Sequence, residues 1–345
     1  FHSNEDANSI VQGFTVTQGY TRAHGGGAFL CAESSPTIID CIIVGNSARA
    51  GGGIYASLSD IRVENCVIKE NIASFYPWDW FYRSADIGTA GGIYIFKGNA
   101  LLRNCLVVGN AASCQGGGIY CSHGDHQIIN CTVTANRTGE GGIGGGISVG
   151  LGGGYESYLH NSIVWRNHAD KDGNNIELGY LGINFVMRLN VSNSLIEKDP
   201  NSIYDPSAQI SGDWLSTEPM FARNGYWDPN GTSEDLSDDF QVDGDYHLKS
   251  QAGRYDPNTQ TWVQDDVTSP CIDTGDPNSP IGLEPFPNGG YINMGAYGGT
   301  SEASKSYFDK PVCETIVAGD INGDCKVDEL DMEIMMIHWL EDNNP

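Results

Sequence analysis

Gly116-Gly117-Gly118-Ile119-Tyr120-Cys121, then Asn130-Cys131 ten residues after that cysteine and Asn136 five further on, is one phrase of an internal repeat. The phrase opens elsewhere as Gly26-Gly27-Ala28-Phe29-Leu30-Cys31, Gly51-Gly52-Gly53-Ile54-Tyr55-Ala56, Gly91-Gly92-Ile93-Tyr94-Ile95 and Gly144-Gly145-Gly146-Ile147. It is answered by Asp40-Cys41, Asn65-Cys66 and Asn104-Cys105, and more loosely by Asn161-Ser162 and Asn193-Ser194. Asn46, Asn71, Asn110 and Asn167 keep the step of Asn136. Cys41, Cys66, Cys105 and Cys131 lie 25, 39 and 26 residues apart, so the middle interval is one period carrying an insertion of about 14.

Each period holds short apolar runs and no long helical pattern, which predicts three short strands per coil of about 25 residues, the length of one parallel β-helix turn. Glycine and asparagine tolerate positive φ where such a coil bends. Stacked asparagines can bond one another along the solenoid. Coils stacked about 4.8 Å apart put the four cysteines in one column, where small apolar side chains fill a narrow core. Parallel vertical neighbours suit disulfide geometry poorly. Cys114 and Cys121, flanking a Gly-rich turn, are left as a pair that could close. The fold class read here is all-β, a right-handed parallel β-helix over 1–203. An Asp/Pro/Gly-rich capping region over 204–308 is expected to pack on the solenoid, as a capping or side-packing element on the C-terminal end of the rod. A small calcium-loop unit occupies 309–345.

The chain has 345 residues, 44 of them acidic and 18 basic, for a formal net charge of −26. That balance argues against nucleic acid, whose phosphates need Lys and Arg. It favours hard divalent cations, which take carboxylate and carbonyl oxygens. No apolar run is long enough to span a membrane. The phrase Ile10 to Thr17 is already in mid-repeat, so Phe1 reads as a processed or truncated start.

Two segments stand apart from the coils. The insertion Phe75, Tyr76, Trp78, Trp80, Phe81 and Tyr82 carries six aromatics, either a surface for stacking on sugar or for meeting another subunit, or a loop folded back over its own coil. Near the C-terminus, Asp320, Asn322, Asp324, Asp328 and Asp331 occupy positions 1, 3, 5, 9 and 12 of a loop. Lys326 at position 7 offers its carbonyl, and a helix is predicted from Leu330 to Leu340. This spacing wraps a short loop around one Ca²⁺, and a Cys313–Cys325 disulfide is expected to staple it. The acidic stretch from Asp228 to Asp245 is a second, weaker calcium candidate.

With these phrases in view, the chain resembles exported right-handed parallel β-helix repeat proteins of planctomycete-like bacteria. These proteins share the Gly-Gly-Gly-Ile-Tyr and Asn-Cys phrases, and the Ser-Pro-Cys-Ile-Asp and Met-Gly-Ala-Tyr-Gly segments seen at 269–273 and 294–298. Residues 319–340 resemble one half of a type I dockerin, an EF-hand-like single loop. The resemblance implies export to the cell surface or matrix and no defined reaction. It also leaves the tail as a place for a protein partner.

The expected function is therefore a non-enzymatic structural or adhesive protein outside the cell, binding surface glycan or associating with itself end to end into filaments. The alternative is a carbohydrate-active β-helix protein, a polysaccharide lyase or hydrolase, or a glycan-binding module. For catalysis the nearest cluster is His123, Asp125 and His126, with Arg166, His168, Asp170, Lys171 and Asp172 further along. Solvated turns explain these residues, and no catalytic set is assigned.

Overall fold

The structure is a computed structural model that describes residues 1–22, 25–74, 88–150, 152, 154–179, 188–231, 239–307, 319, 327–329, 331, 332, 335 and 336. The repeat folds as a right-handed parallel β-helix. One coil runs Ile119–Ser122, Gln127–Ile129, Thr132–Thr134, with a two-residue fourth piece, Arg137–Thr138. Each piece pairs in parallel with its counterparts in the coils before and after. Four faces result: an aromatic face (the Ile119–Ser122 series), a first flank (Gln127–Ile129), a second flank (Thr132–Thr134) and a short edge (Arg137–Thr138). The aromatic face stacks seven strands from Phe29–Ala32 to Ile203–Tyr204. The nine-residue strand Arg188–Ile196 serves both flanks.

The sequence phrase dictates the corners. Asp40, Asn65, Asn104, Asn130, Asn161 and Asn193 all have φ between 46 and 54°, the left-handed region that Asn and Asp reach at least cost. Gly117 is needed for a different reason: a Cβ there would lie 2.3 Å from the carbonyl oxygen of Gly145 and 2.4 Å from that of Arg137. Inside, the coils are filled by Ile38, Ile43, Ile68, Val107, Ile119, Val133 and their neighbours, with Cys41, Cys66, Cys105 and Cys131 among them. These four thiols are free and buried. Cys114 and Cys121 are also free, so the Gly-rich turn between them is not closed by a bond.

A second column inside the coil is polar. The backbone N–H groups of Asn46, Asn71, Asn110 and Asn136 each donate to the side-chain oxygen of the asparagine in the next coil at 3.0 Å. The side-chain amide of each donates to the same oxygen at 2.9–3.0 Å. Full pairing lets buried polar groups sit in a core.

The described residues from Phe221 to Ser306 pack on the side of the rod, along its second flank. Outward-facing Leu106, Val108, Ile163, Trp165 and Leu195 join Phe221, Tyr246, Leu248, Cys271, Ile272, Met294 and Ala296 in a second hydrophobic core. That flank carries apolar side chains on both surfaces of its strands, and the outer set needs cover. The corner asparagines grip the added segment. Asn104 donates to the carbonyls of Ala296 and Gly298 at 3.1 and 2.6 Å, and Asn130 to that of Asn293 at 3.3 Å. Asn161 accepts from Asp276 N–H at 2.8 Å.

Candidate functional site

The short edge of the rod is built of small residues, Ala73, Ala111 and Ala112 among them, so its surface sits low. The added segment rises beside it. Its strand Tyr226–Asp228 pairs antiparallel with Phe240–Val242, and the Trp227 indole N–H donates to the Ala135 carbonyl at 2.8 Å. That bond stands the ring up as a wall. Between wall and edge lies a pocket of about 380 Å³, floored by Ile72, Ala111 and Ala112 and bordered by Arg137, Thr138, Trp227 and Asp239.

The Arg137 guanidinium carbon sits 3.7 Å over the Trp227 ring, a cation–π contact, and its Nη1 is paired with the Asp239 carboxylate. Two polar atoms of pocket-lining residues are buried with no hydrogen-bond partner among the described residues: Asp239 Oδ1 and Thr138 Oγ1. Such atoms are expensive to leave unpaired. An apolar floor beside an indole suits the CH face of a ring. The Asp239 charge is matched by Arg137.

A second cleft, of about 460 Å³, opens on the other side of the segment, between Asn65, Asn104 and Leu106 of the rod and Leu283, Tyr297 and Glu302. Behind it the His247 ring stacks on Tyr297 at 3.7 Å. Its nitrogens meet Asp245 at 2.6 Å and Glu302 at 3.3 Å. Burial opposes the imidazolium, yet these two carboxylates outweigh it and hold His247 above its ordinary pKa. Arg254 bridges Asp245 to Asp265, at 3.1 Å on each side. The network fastens the segment together and leaves Glu302 at the lip of the cleft.

The sequence-predicted residues fare differently. The aromatic insertion Phe75, Tyr76, Trp78, Trp80, Phe81 and Tyr82 lies outside the described residues. So do Asp320, Asn322, Asp324 and Lys326 of the calcium loop, and both Cys313 and Cys325. Asp328 and Asp331 are described: the Asp331 carboxylate is buried and accepts the Asp328 N–H at 2.8 Å. The first helical bond, Met332 N–H to the Asp328 carbonyl, follows. The Asp331 carboxylate on the Asp328 N–H is one half of a capping box at a helix start. In the acidic stretch, Asp239 pairs with Arg137, Asp243 with Lys69 at 2.6 Å, and Asp245 with His247 and Arg254. Those three acids fasten the segment internally and to the rod; Asp235 and Asp238 of the same stretch lie outside the described residues.

His123, Asp125 and His126 sit at the corner between the aromatic face and the first flank, whereas Arg166 to Asp172 follow the second flank. The two groups are not brought together. His126 is a core residue: burial pushes its pKa down to about 4, and its Nδ1 accepts the Ala100 N–H at 3.4 Å.

One residue that sequence reasoning passed over is Glu177. It continues the outer column of the aromatic face, where Tyr55, Tyr94 and Tyr120 stack at 4.7 and 5.1 Å and Ser148 and Glu177 follow in register. Burial pushes the Glu177 carboxyl up to about 7, and the Ser148 hydroxyl bonded to it offsets this only in part. The one signal was its place in the repeat, where an acid replaces the tyrosine of the Gly-Ile-Tyr phrase.

Two family descriptions match the chain. Residues 1–133 match a right handed beta helix region. Residues 223–275, the stretch that holds Trp227 and Asp239, match a family described as disaggregatase related. No characterised protein and no solved structure matches. The coils and the comparison together make the chain a right-handed parallel β-helix repeat protein.

Proposed function

We propose that this chain is a non-enzymatic structural or adhesive protein of the cell surface or extracellular matrix, holding glycan on the side of a rigid rod. The observation that carries the reading is the Trp227 pocket, an apolar floor of Ile72, Ala111 and Ala112 beside an indole, with Thr138 and the Arg137–Asp239 pair at its border. A net charge of −26 disfavours anionic sugars at long range, so the ligand class is a neutral polysaccharide. The disaggregatase-related match falls on the same segment and hints at carbohydrate as the ligand class.

The test is calorimetric titration with neutral and uronate-containing oligosaccharides, comparing the parent chain with Trp227→Ala and Thr138→Val. Binding of a neutral oligosaccharide that weakens at least tenfold in both variants, with unchanged circular dichroism, supports the reading. Binding that survives Trp227→Ala, or no binding to any oligosaccharide, sinks it. Filament formation belongs to the same proposal, since coils that pair in parallel one on the next offer a geometry that a second rod could continue. Electron microscopy with calcium and with chelator checks it, and single short rods in both conditions would end it.

A carbohydrate-active enzyme is the second reading, favoured by Glu177, a carboxyl held near neutrality beside stacked aromatics. Glycan turnover that Glu177→Gln abolishes would establish it; binding without turnover would remove it.

A further inference from the structure

The column of corner residues that holds the flank segment is longer than the segment's grip on it. Asn104 donates to the carbonyls of Ala296 and Gly298, and Asn130 to that of Asn293. After Gly298 the segment turns, with Gly299 at φ 75° and the Thr300 N–H bonded to the Tyr297 carbonyl at 3.1 Å. Asn65 is the corner residue one coil nearer the N-terminus than Asn104. It has the same left-handed backbone, φ 52°, and its amide donates to Asp40 at 3.1 Å. A side-chain amide carries two hydrogens, and among the described residues no carbonyl takes one from Asn65.

The outer apolar column of the second flank outruns the segment in the same way. Leu106, Val67 and Ile42 stand in register in three successive coils. Leu106 is 8% exposed beneath the segment, Val67 is partly buried, and Ile42 is 42% exposed. Where Asn65, Val67 and Leu106 meet the segment lies the cleft of about 460 Å³, with Leu283, 73% exposed, on its far wall and Glu302 at its lip. Among the described residues no Lys or Arg lines it. Its charged neighbours are the Glu302 carboxylate and that of Asp40 beside Asn65, on a chain of net charge −26.

Further along the rod the segment supplies two things, a backbone carbonyl for each corner amide and apolar cover for the flank. Both places stand open at this cleft, which continues the interface between rod and segment. We propose that it docks an extended segment of a partner protein, in which apolar side chains alternate with lysine or arginine. Alternate side chains of an extended chain point to opposite faces. One set enters between Val67 and Leu283 while a backbone carbonyl meets the Asn65 amide. The other set stays at the rim, where Asp40 and Glu302 favour a cation. The site is separate from the Trp227 pocket on the other side of the segment, so the rod carries one surface for glycan and another for protein.

The test is fluorescence polarisation on the full chain at physiological salt, with a labelled synthetic peptide that alternates lysine and leucine. A peptide alternating glutamate and leucine is the control. Leu283→Ser and Asn65→Gly leave the net charge unchanged, so a loss of binding in them reports the cleft and not general attraction to an acidic protein. Leu283 is exposed, and Gly keeps the positive φ at position 65, so both variants are designed to fold. The expected result is saturable binding of the lysine peptide, weakened about fivefold or more by each variant with circular dichroism unchanged. Equal binding by parent and variants, equal binding of the glutamate peptide, or no binding overturns the proposal. Two further outcomes overturn it by assigning the cleft elsewhere. Displacement of the peptide by a neutral oligosaccharide would give the cleft to glycan. Self-association of the parent that Leu283→Ser abolishes, read by sedimentation, would give it to a second copy of the chain.

Discussion

His126 and Glu177 lie in the same rod and pull its stability in opposite directions with pH. His126 has a folded pKa of about 4 against an ordinary 6.5, because burial disfavours the imidazolium. Between those values the unfolded chain takes up the proton and the folded chain does not, so stability falls as pH is lowered through the window. The loss is about 3 kcal/mol once both values are passed. Glu177, about 7 folded against 4.5, has the opposite sign: the folded chain keeps its proton, and stability falls as pH rises from 4.5 through 7. Replacing each by Gln should isolate the two slopes. Relative to the parent, His126→Gln should gain stability toward pH 4, and Glu177→Gln should gain it toward pH 8, read from urea midpoints across the range. Parallel profiles for parent and variant would refute either assignment. At Gly117 the issue is space rather than charge. A Cβ 2.3 Å from a neighbouring carbonyl forces coils apart, and Gly117→Ala should lower stability by about 2 kcal/mol or more.

At the scale of the element, the asparagine column accounts for much of the coil's specificity. Asn110 accepts from Asn71 N–H and from the Asn71 amide, and donates to the Ile68 carbonyl at 2.9 Å and to Asn136. Asn110→Ala would leave several buried groups unpaired, each costing about 1–3 kcal/mol; a loss of about 4 kcal/mol in chemical denaturation is expected. Asn110→Asp should be as damaging, since a carboxylate cannot donate to Ile68. A change below about 1 kcal/mol would mean water replaces the ladder. These columns were legible beforehand, because a period of about 25 forces residues of one type into register. The corner asparagines were legible as turns through their tolerance of positive φ. Their second task, gripping Ala296 and Gly298, was not, because nothing local in Asn104 reveals a partner 192 residues away. The same reason hid the pocket. Trp227 and Arg137 are 90 positions apart by number, and only docking of the segment on the short edge brings them together. In the Asp228–Asp245 stretch an acid-rich run looks identical in sequence whether its partner is a metal or a cation of the protein, and the pairing of Asp243 with Lys69 and of Asp239 with Arg137 could not be read there.

For the whole molecule, the question is whether rod and flank segment are one cooperative unit. Each has its own strands, but the second core is shared: Leu106, Val108, Ile163, Trp165 and Leu195 come from the coils, and Phe221, Tyr246, Leu248, Met294 and Ala296 from the segment. Neither set can be withdrawn from the other without exposing a continuous apolar surface, which favours a single transition. A buried charge at the seam should split that unit. Met294 is 3% exposed and sits where the segment meets the second flank, so Met294→Asp places an unpaired carboxylate in an apolar contact. Scanning calorimetry should then resolve two transitions where the parent has one. The earlier should coincide with a red shift of tryptophan fluorescence, as Trp227 and Trp165 lose their packing while the interior of the coils stays folded. The coil's own core of Ile68, Val107, Val133 and Val164 does not include Met294, so the later transition should keep its midpoint within about 5 °C of a parent-like value. Were Met294→Asp instead to unfold in one step at a lower temperature, the rod would depend on its flank segment to exist at all. Glycan binding at Trp227 would then be a property of the complete fold and not of a detachable arm.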